Sequence, residues 1–191
     1  MKRDLTQGPI TATMLRFALP MILGNLLQQF YNIADTLIVG RFLGPDALAA
    51  VGSAYTLMTF LTSILLGLCM GSGAVFSIRF GQKDEDRLKT SIFVSFVLIA
   101  LVAVVLNVAV FLFIDPIMHF LRVPDGIYGM MREYLWVIFV GFGAVFLYNY
   151  FASLLRAMGN SVIPLLFLGI SASLNAVSYT HLTVHNIKGA L

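Results

Sequence analysis

The sequence predicts an all-α integral membrane protein, a polytopic helix bundle with about five transmembrane helices. Hydrophobic residues make up 59% of the 191 residues and charged residues only 11%, whereas soluble domains carry about 25% charged residues. The apolar residues also form runs long enough to cross a bilayer, which takes about 20 residues. Because the basic residues cluster between these runs, we interpret the net charge of +3 as a topology signal and predict no nucleic-acid partner.

The predicted helices are separated by short turn-forming or charged segments. Residues 1–13 form a predicted cytoplasmic N-terminal segment, and the spans of the transmembrane lobe (14–177) cover about 14–39, 49–76, 90–114, 128–150 and 161–177. Pro20 predicts a kink in the first span, since an interior proline removes one backbone hydrogen bond. In the second span, Gly67 and Gly71 have the spacing that lets two helices approach closely.

The later spans carry few polar side chains. Asn107 is the one strongly polar interior residue of the third span, and we expect it to make a packing hydrogen bond. Before this span, the charged segment 79–89 is interpreted as a solvated cytoplasmic turn. After it, Pro116 and Pro124 mark a predicted loop. Tyrosines at the ends of the fourth span are typical of membrane-interface anchors.

The chain loses its apolar character after Val177 and continues as SYTHLTVHNIKGAL. His181 and His185 lie four residues apart in this tail, a spacing that two ligands of a small metal site can have. The SYTHLT segment, however, resembles translated adapter sequence at the end of assembled chains. We therefore interpret residues 178–191 as a non-native tail and predict no metal site.

The distribution of basic residues predicts the orientation. With the N-terminus inside, eight basic residues fall in cytoplasmic segments and three in outer segments. The positive-inside rule then predicts a multi-pass protein of the plasma or inner membrane with a cytoplasmic N-terminus.

The first span carries a polar face, formed by Asn25, Gln28, Gln29, Asn32, Asp35 and Thr36. At about 100° per residue these side chains fall within an arc of about 120°. A polar face in a membrane helix must meet protein or water, and an acid there is a functional candidate. Alternatively, Asp35 is an interfacial acid solvated by headgroups, and Gln28 and Asn32 hold helices together by hydrogen bonds. Because Gln28 and Asn32 lie deeper in the span, we favour a coupling or substrate site and expect this face to point into the bundle.

Three ordered motifs resemble the multidrug and toxic compound extrusion (MATE) transporters. They are FALPMILGNLLQQFYNIADTLIVGRFLGPDALAAVG at Phe17–Gly52, GSGAVFSIRFGQKD at Gly71–Asp84 and LLRAMGNSVIPLLF at Leu154–Phe167. The resemblance implies twelve helices in two six-helix lobes, of which this chain matches the N-terminal lobe without the end of the fifth helix and the sixth. It also implies that Asp35 is the coupling acid and that Asn175 is its polar partner. Family members often carry a second acid one turn later, where this chain has Tyr179.

The resemblance and the polar face together predict secondary active multidrug efflux, the antiport of small organic cations against H⁺ or Na⁺, with no other cofactor. A lipid-linked precursor flippase of the same superfamily is an alternative, although such proteins line their cavity with bases and the polar face has none. A non-transporting structural membrane protein is another, and the polar face argues against it. We predict that the protein is not an enzyme, because an intramembrane protease needs a second acid or an intramembrane histidine.

Overall fold

The computed structural model of the protein describes residues 10–42 and 44–173, apart from the side chains of Ile10, Asp35 and Phe42. This part of the chain is all-helical and contains no strand. Its helices are α1 (Ile10–Phe42), α2 (Gly44–Gly81), α3 (Glu85–Phe120), α4 (Asp125–Val140), α5 (Phe142–Ala157) and α6 (Val162–Ser173).

The predicted class, a polytopic membrane protein, is confirmed. Among the described helices, α2 and α3 are each long and apolar enough to cross a membrane, and the bent pair α4–α5 is a third candidate if its two arms form one span. The shorter α6 is apolar over its described residues.

The chain divides into two compact units. The first comprises Met1–Asp35 and Gly159–Leu191, and the second comprises Thr36–Met158. In the second unit, α2 to α5 enclose an apolar core whose largest fully buried side chains include Phe76, Ile99, Met118, Phe139, Phe142 and Tyr150. The outer surface of this unit is apolar as well, with Leu112, Val137 and Val140 more than 70% exposed. An apolar exterior around an apolar core is what a bilayer requires.

In the second unit, α3 runs antiparallel to the pair α4–α5. As the residue numbers rise along α4–α5, those of their contact partners on α3 fall. Arg132 Nε lies 3.1 Å from Asp115 Oδ1. The ring centroids of Trp136 and Phe111 are 4.6 Å apart, and those of Phe146 and Phe96 are 5.6 Å apart. At the far end the Tyr150 hydroxyl donates to the Ile92 carbonyl at 2.6 Å. This series of contacts fixes the register of α3 against both α4 and α5.

Two of the predicted spans contain a bend that the sequence analysis did not predict. The third span was predicted to end near residue 114, but α3 continues through Pro116 to Phe120. Its backbone leaves the helical region at Phe113 (φ −112°, ψ 21°), since the ring of Pro116 crowds the preceding turn. The fourth span was predicted as one helix, but α4 and α5 meet at Gly141 with a bend of 47°.

The close helix contact in α2 is made by Gly73, not by the predicted pair Gly67 and Gly71. A Cβ atom at Gly73 would lie 2.7 Å from Ser153 Oγ, whereas one at Gly67 or Gly71 would meet no described atom within 4 Å. Ser153 is buried and donates to the Cys69 carbonyl at 2.7 Å. The Gly71–Ser72–Gly73 segment therefore serves helix packing through its last residue.

Candidate functional site

The N-terminal half of α1 packs against α6 in the first unit. The Ser161 hydroxyl donates to the carbonyl of Phe17 at 3.1 Å. About two turns further along α1, a Cβ atom at Gly24 would lie 3.6 Å from Leu165 Cδ1 and 3.9 Å from Leu168 Cδ2. Because both helices advance in the same direction through these contacts, α1 and α6 are parallel neighbours.

The contacting residues of the two helices are separated by similar numbers of residues in the sequence. The separation is 144 between Phe17 and Ser161, and 141 and 144 between Gly24 and its neighbours Leu165 and Leu168. The last described residue of α6, Ser173, therefore corresponds to positions 29–32 of α1. The described part of α6 accompanies α1 only along the first part of the polar face.

The face of α1 that meets α6 is also the face on which position 35 lies. Eleven residues make about three turns of an α-helix, so position 35 lies within about 20° of Gly24 around the helix axis. Gln28, one turn after Gly24, lies on the same side of α1 within about 40°. The residues that contact α6 and the candidate coupling acid thus share one side of α1.

The MGNS segment, residues 158–161, connects α5 to α6 and caps the N-terminus of α6. Gly159 has φ of +81°, a left-handed conformation that ends many helices and that glycine adopts without strain. Asn160 Oδ1 accepts a hydrogen bond from the backbone N–H of Ile163 at 3.2 Å, the bond of an N-cap. Ser161 is buried and is the residue that reaches Phe17. The sequence motif pointed to this connector, but the capping and anchoring roles of its residues were missed.

The described polar residues of α1 do not form a buried cluster. Asn25 and Gln28 are exposed and Asn32 is half-buried, with Asn32 Nδ2 donating to Gln29 Oε1 at 3.5 Å. The opposite face is exposed too, including Leu26, Ile33 and Leu37 at 50% to 66%. The expectation that the polar face points into the bundle therefore stays a prediction.

The remaining predicted site residues are placed only in part. Pro20 lies inside α1, between the two residues that contact α6. The side chain of Asp35 lies outside the described part of the structure, as does the whole of Asn175. His181, His185 and Tyr179 also lie outside it, and the described residues contain no group of three or more His, Cys, Asp or Glu arranged for a metal ion.

Gly24 is expected to set how closely α6 approaches α1. Gly24→Leu should lower the melting temperature of the detergent-solubilised protein, because its side chain would occupy the space that Leu165 and Leu168 now border. Gly24→Ala should be tolerated, since its Cβ would sit at ordinary van der Waals distance from both leucines. Circular dichroism during heating provides the measurement. A Gly24→Leu variant as stable as wild type would contradict this packing.

Comparison with known proteins shows a similarity to proteins named for multidrug resistance and export. The sequence profile of the MatE family matches residues 20–179. The chain is 30% identical over 174 residues to the protein named "Probable multidrug resistance protein YpnP" of Bacillus subtilis, an alignment that covers 91% of this chain and 39% of that protein. It is 30% identical over 176 residues to the multidrug export protein MepA of Staphylococcus aureus, covering 90% of this chain and 38% of MepA.

Solved structures show the same fold. One is an outward-facing multidrug resistance MATE family transporter of the MOP superfamily, with a TM-score of 0.79 and 25% sequence identity. That alignment covers 85% of this chain and 36% of the transporter. The chain thus spans well under half the length of the relatives that it matches.

Proposed function

Because the chain belongs to the MATE family and covers its N-terminal lobe, we propose that the whole protein is a multidrug exporter that exchanges small organic cations for H⁺ or Na⁺. Exporters of this kind are multi-pass membrane proteins, and we propose that this one lies in the plasma or inner membrane with its N-terminus in the cytoplasm. The observation that carries the proposal is the packing of α6 along the side of α1 on which position 35 lies.

The parallel packing of α6 along the side of α1 on which position 35 lies supports a shared site for Asp35 and Asn175. We propose that the two residues act together, as the family resemblance implies. Gln28 and Asn32 would then supply amide groups along the same helix, about two turns and one turn before Asp35, respectively.

The proposed coupling needs only one carboxylate. In a cavity shielded from water, a single negative charge can be balanced by a proton, by Na⁺ or by an organic cation, but not by all of them at once. Competition for this charge makes release of the drug depend on binding of the coupling ion. Pro20 lies in the half of α1 that α6 holds, and a proline-containing helix with two packings is an element that such binding can bias.

The test is gradient-driven transport by the full-length protein in liposomes. With the protein reconstituted and a fluorescent cationic dye trapped on one side, an imposed pH gradient or an imposed Na⁺ gradient should drive dye across the membrane. The gradient that works identifies the coupling ion, and an ionophore that collapses this gradient should stop transport. Protein-free liposomes under the same gradients provide the control.

Two results would overturn the proposal. Dye that stays in place under both gradients, with correctly inserted protein, would exclude cation antiport. Gradient-independent movement of a fluorescent lipid-linked pyrophosphate instead would assign the protein to the flippase alternative.

A further inference from the structure

The membrane span formed by α4 and α5 is interrupted at its midpoint. Each helix is 16 residues long, and Gly141 lies between them. The two axes differ in direction by 47°. At about 1.5 Å per residue each arm is about 24 Å long, so the break lies deep in the bilayer, whose apolar core is about 30 Å thick.

At the break, backbone hydrogen bonds join residues three apart instead of four apart. The N–H of Gly141 bonds to the carbonyl of Ile138 at 2.9 Å, a step of three residues, and the carbonyl of Gly141 accepts from the N–H of Ala144 at 3.0 Å. In an uninterrupted helix, the carbonyl of Phe139 would accept from the N–H of Gly143. At the break this carbonyl has only the N–H of Gly141, two residues further on and shared with the Ile138 carbonyl. A backbone carbonyl that loses its helical donor at this depth costs several kcal/mol unless another group bonds to it.

Asn107 of α3 provides that bond. Its Nδ2 donates to the Phe139 carbonyl at 2.7 Å. On either side of the break, α4 and α5 are anchored on α3 by separate aromatic pairs, Trp136 with Phe111 and Phe146 with Phe96. Along α3, the polar contact made by Asn107 therefore lies between the two aromatic contacts, at the level where the α4–α5 span changes direction.

We propose that Asn107 is a positioning residue that selects the bent form of the α4–α5 span, and that Gly141 is the hinge on which this span straightens. The two forms exchange one hydrogen bond for another. In the bent form the Phe139 carbonyl accepts from Asn107 beside the shared N–H of Gly141, and in the straight form it accepts from the N–H of Gly143. The side chain of Asn107 thus controls a two-state element at the centre of the second unit.

The experiment measures a distance across the hinge by double electron–electron resonance. Cys69, the single cysteine of the chain, is first replaced by Ala. Spin labels at positions 130 and 155 then report on the two arms in the full chain reconstituted in lipid nanodiscs. Asn107→Leu removes the hydrogen-bond donor and keeps a side chain of similar size. We expect a broader distribution of distances between the two labels that extends to values about 3 Å longer, because the ends of a straight helix lie farther apart than those of a bent one of the same length.

Two controls isolate the role of Asn107. Asn149 is also half-buried, but its Nδ2 donates to the Val145 carbonyl of its own helix at 2.8 Å, so Asn149→Leu should leave the distribution unchanged. Labels at positions 94 and 112 on α3 should keep their distance in all variants and so report that the bundle is folded.

A second variant tests the hinge without touching Asn107. A Cβ atom at Gly141 would lie 3.3 Å from the Ile138 carbonyl oxygen, so Gly141→Ala should disfavour the bent form and shift the same distance upward. A folded Asn107→Leu or Gly141→Ala variant with the wild-type distribution would overturn the proposal. So would an equal broadening in Asn149→Leu.

Discussion

Asp35→Asn is expected to reduce gradient-driven dye efflux by the full-length protein to the rate of protein-free liposomes, with normal membrane insertion. The substitution keeps the size of the side chain and removes the charge. Asp35 is the one acid between Arg16 and Arg41, a stretch with no base between those two arginines. Since an amide can neither release a proton nor balance a cation, the coupling ion and the drug would no longer compete for one group.

Two matched variants make the expectation specific to charge. Asp35→Glu should retain part of the activity, because the carboxylate is preserved. Asn32→Ala should have a smaller effect than Asp35→Asn, since it removes a side-chain hydrogen bond worth about 0.5 to 1.5 kcal/mol and leaves the acid. Efflux at the wild-type rate in a well-expressed Asp35→Asn variant would show that coupling resides elsewhere in the whole protein.

Gly73→Leu is expected to cause the largest loss of stability among single substitutions in α2. Gly73 is buried, and even a Cβ atom there would lie 2.7 Å from Ser153 Oγ. A leucine would force α2 and α5 apart and break the hydrogen bond from Ser153 to the Cys69 carbonyl. Overpacking of this kind costs about 1 to 3 kcal/mol or more, and we expect a clear fall in the melting temperature of the detergent-solubilised protein.

The neighbouring glycine and the contacting serine provide the controls. Gly71→Leu should be tolerated, because Gly71 is exposed and no described atom lies within 4 Å of its Cβ position. Gly73→Ala should be mildly destabilising, and adding Ser153→Ala should restore stability because the hydroxyl that clashes is gone. Such a rescue is a coupling energy between the two positions. If Gly73→Leu and Gly71→Leu melted at the same temperature, the packing of α2 on α5 described above would be wrong.

The candidate site shows what a local sequence pattern can predict and what it cannot. The polar face of α1 follows from helical periodicity alone, which places Gln28, Asn32 and Asp35 on one side of a single element. What this side meets depends on α6, more than 100 residues later in the chain. The contacts of Ser161 with Phe17 and of Leu165 with Gly24 show which side α6 covers. No local pattern contains that pairing.

Breaker residues and glycines show the same limit. Pro116 was identified in the sequence as a helix-disfavouring residue, whereas the break at Gly141 was not predicted. A proline can end a helix or kink it, and the outcome depends on whether neighbouring helices still hold the next turn. Likewise Gly67, Gly71 and Gly73 are all small, and small residues permit close approach without choosing a partner. In the structure it is Gly73 that packs against a neighbouring helix, at Ser153 on α5.

The sequence by itself determined the class of this protein, an all-α membrane protein, and the presence of one polar face on the first helix. These properties depend on composition and on periodicity within single helices. The bilayer requires them whichever way the helices pack against one another. The tertiary structure decided which faces meet: α6 along α1, Ser153 on Gly73, and Asn107 at the broken span of α4 and α5. Those pairings join residues far apart in the chain, and they arise from complementary shape and from hydrogen bonds that each helix leaves to its neighbours.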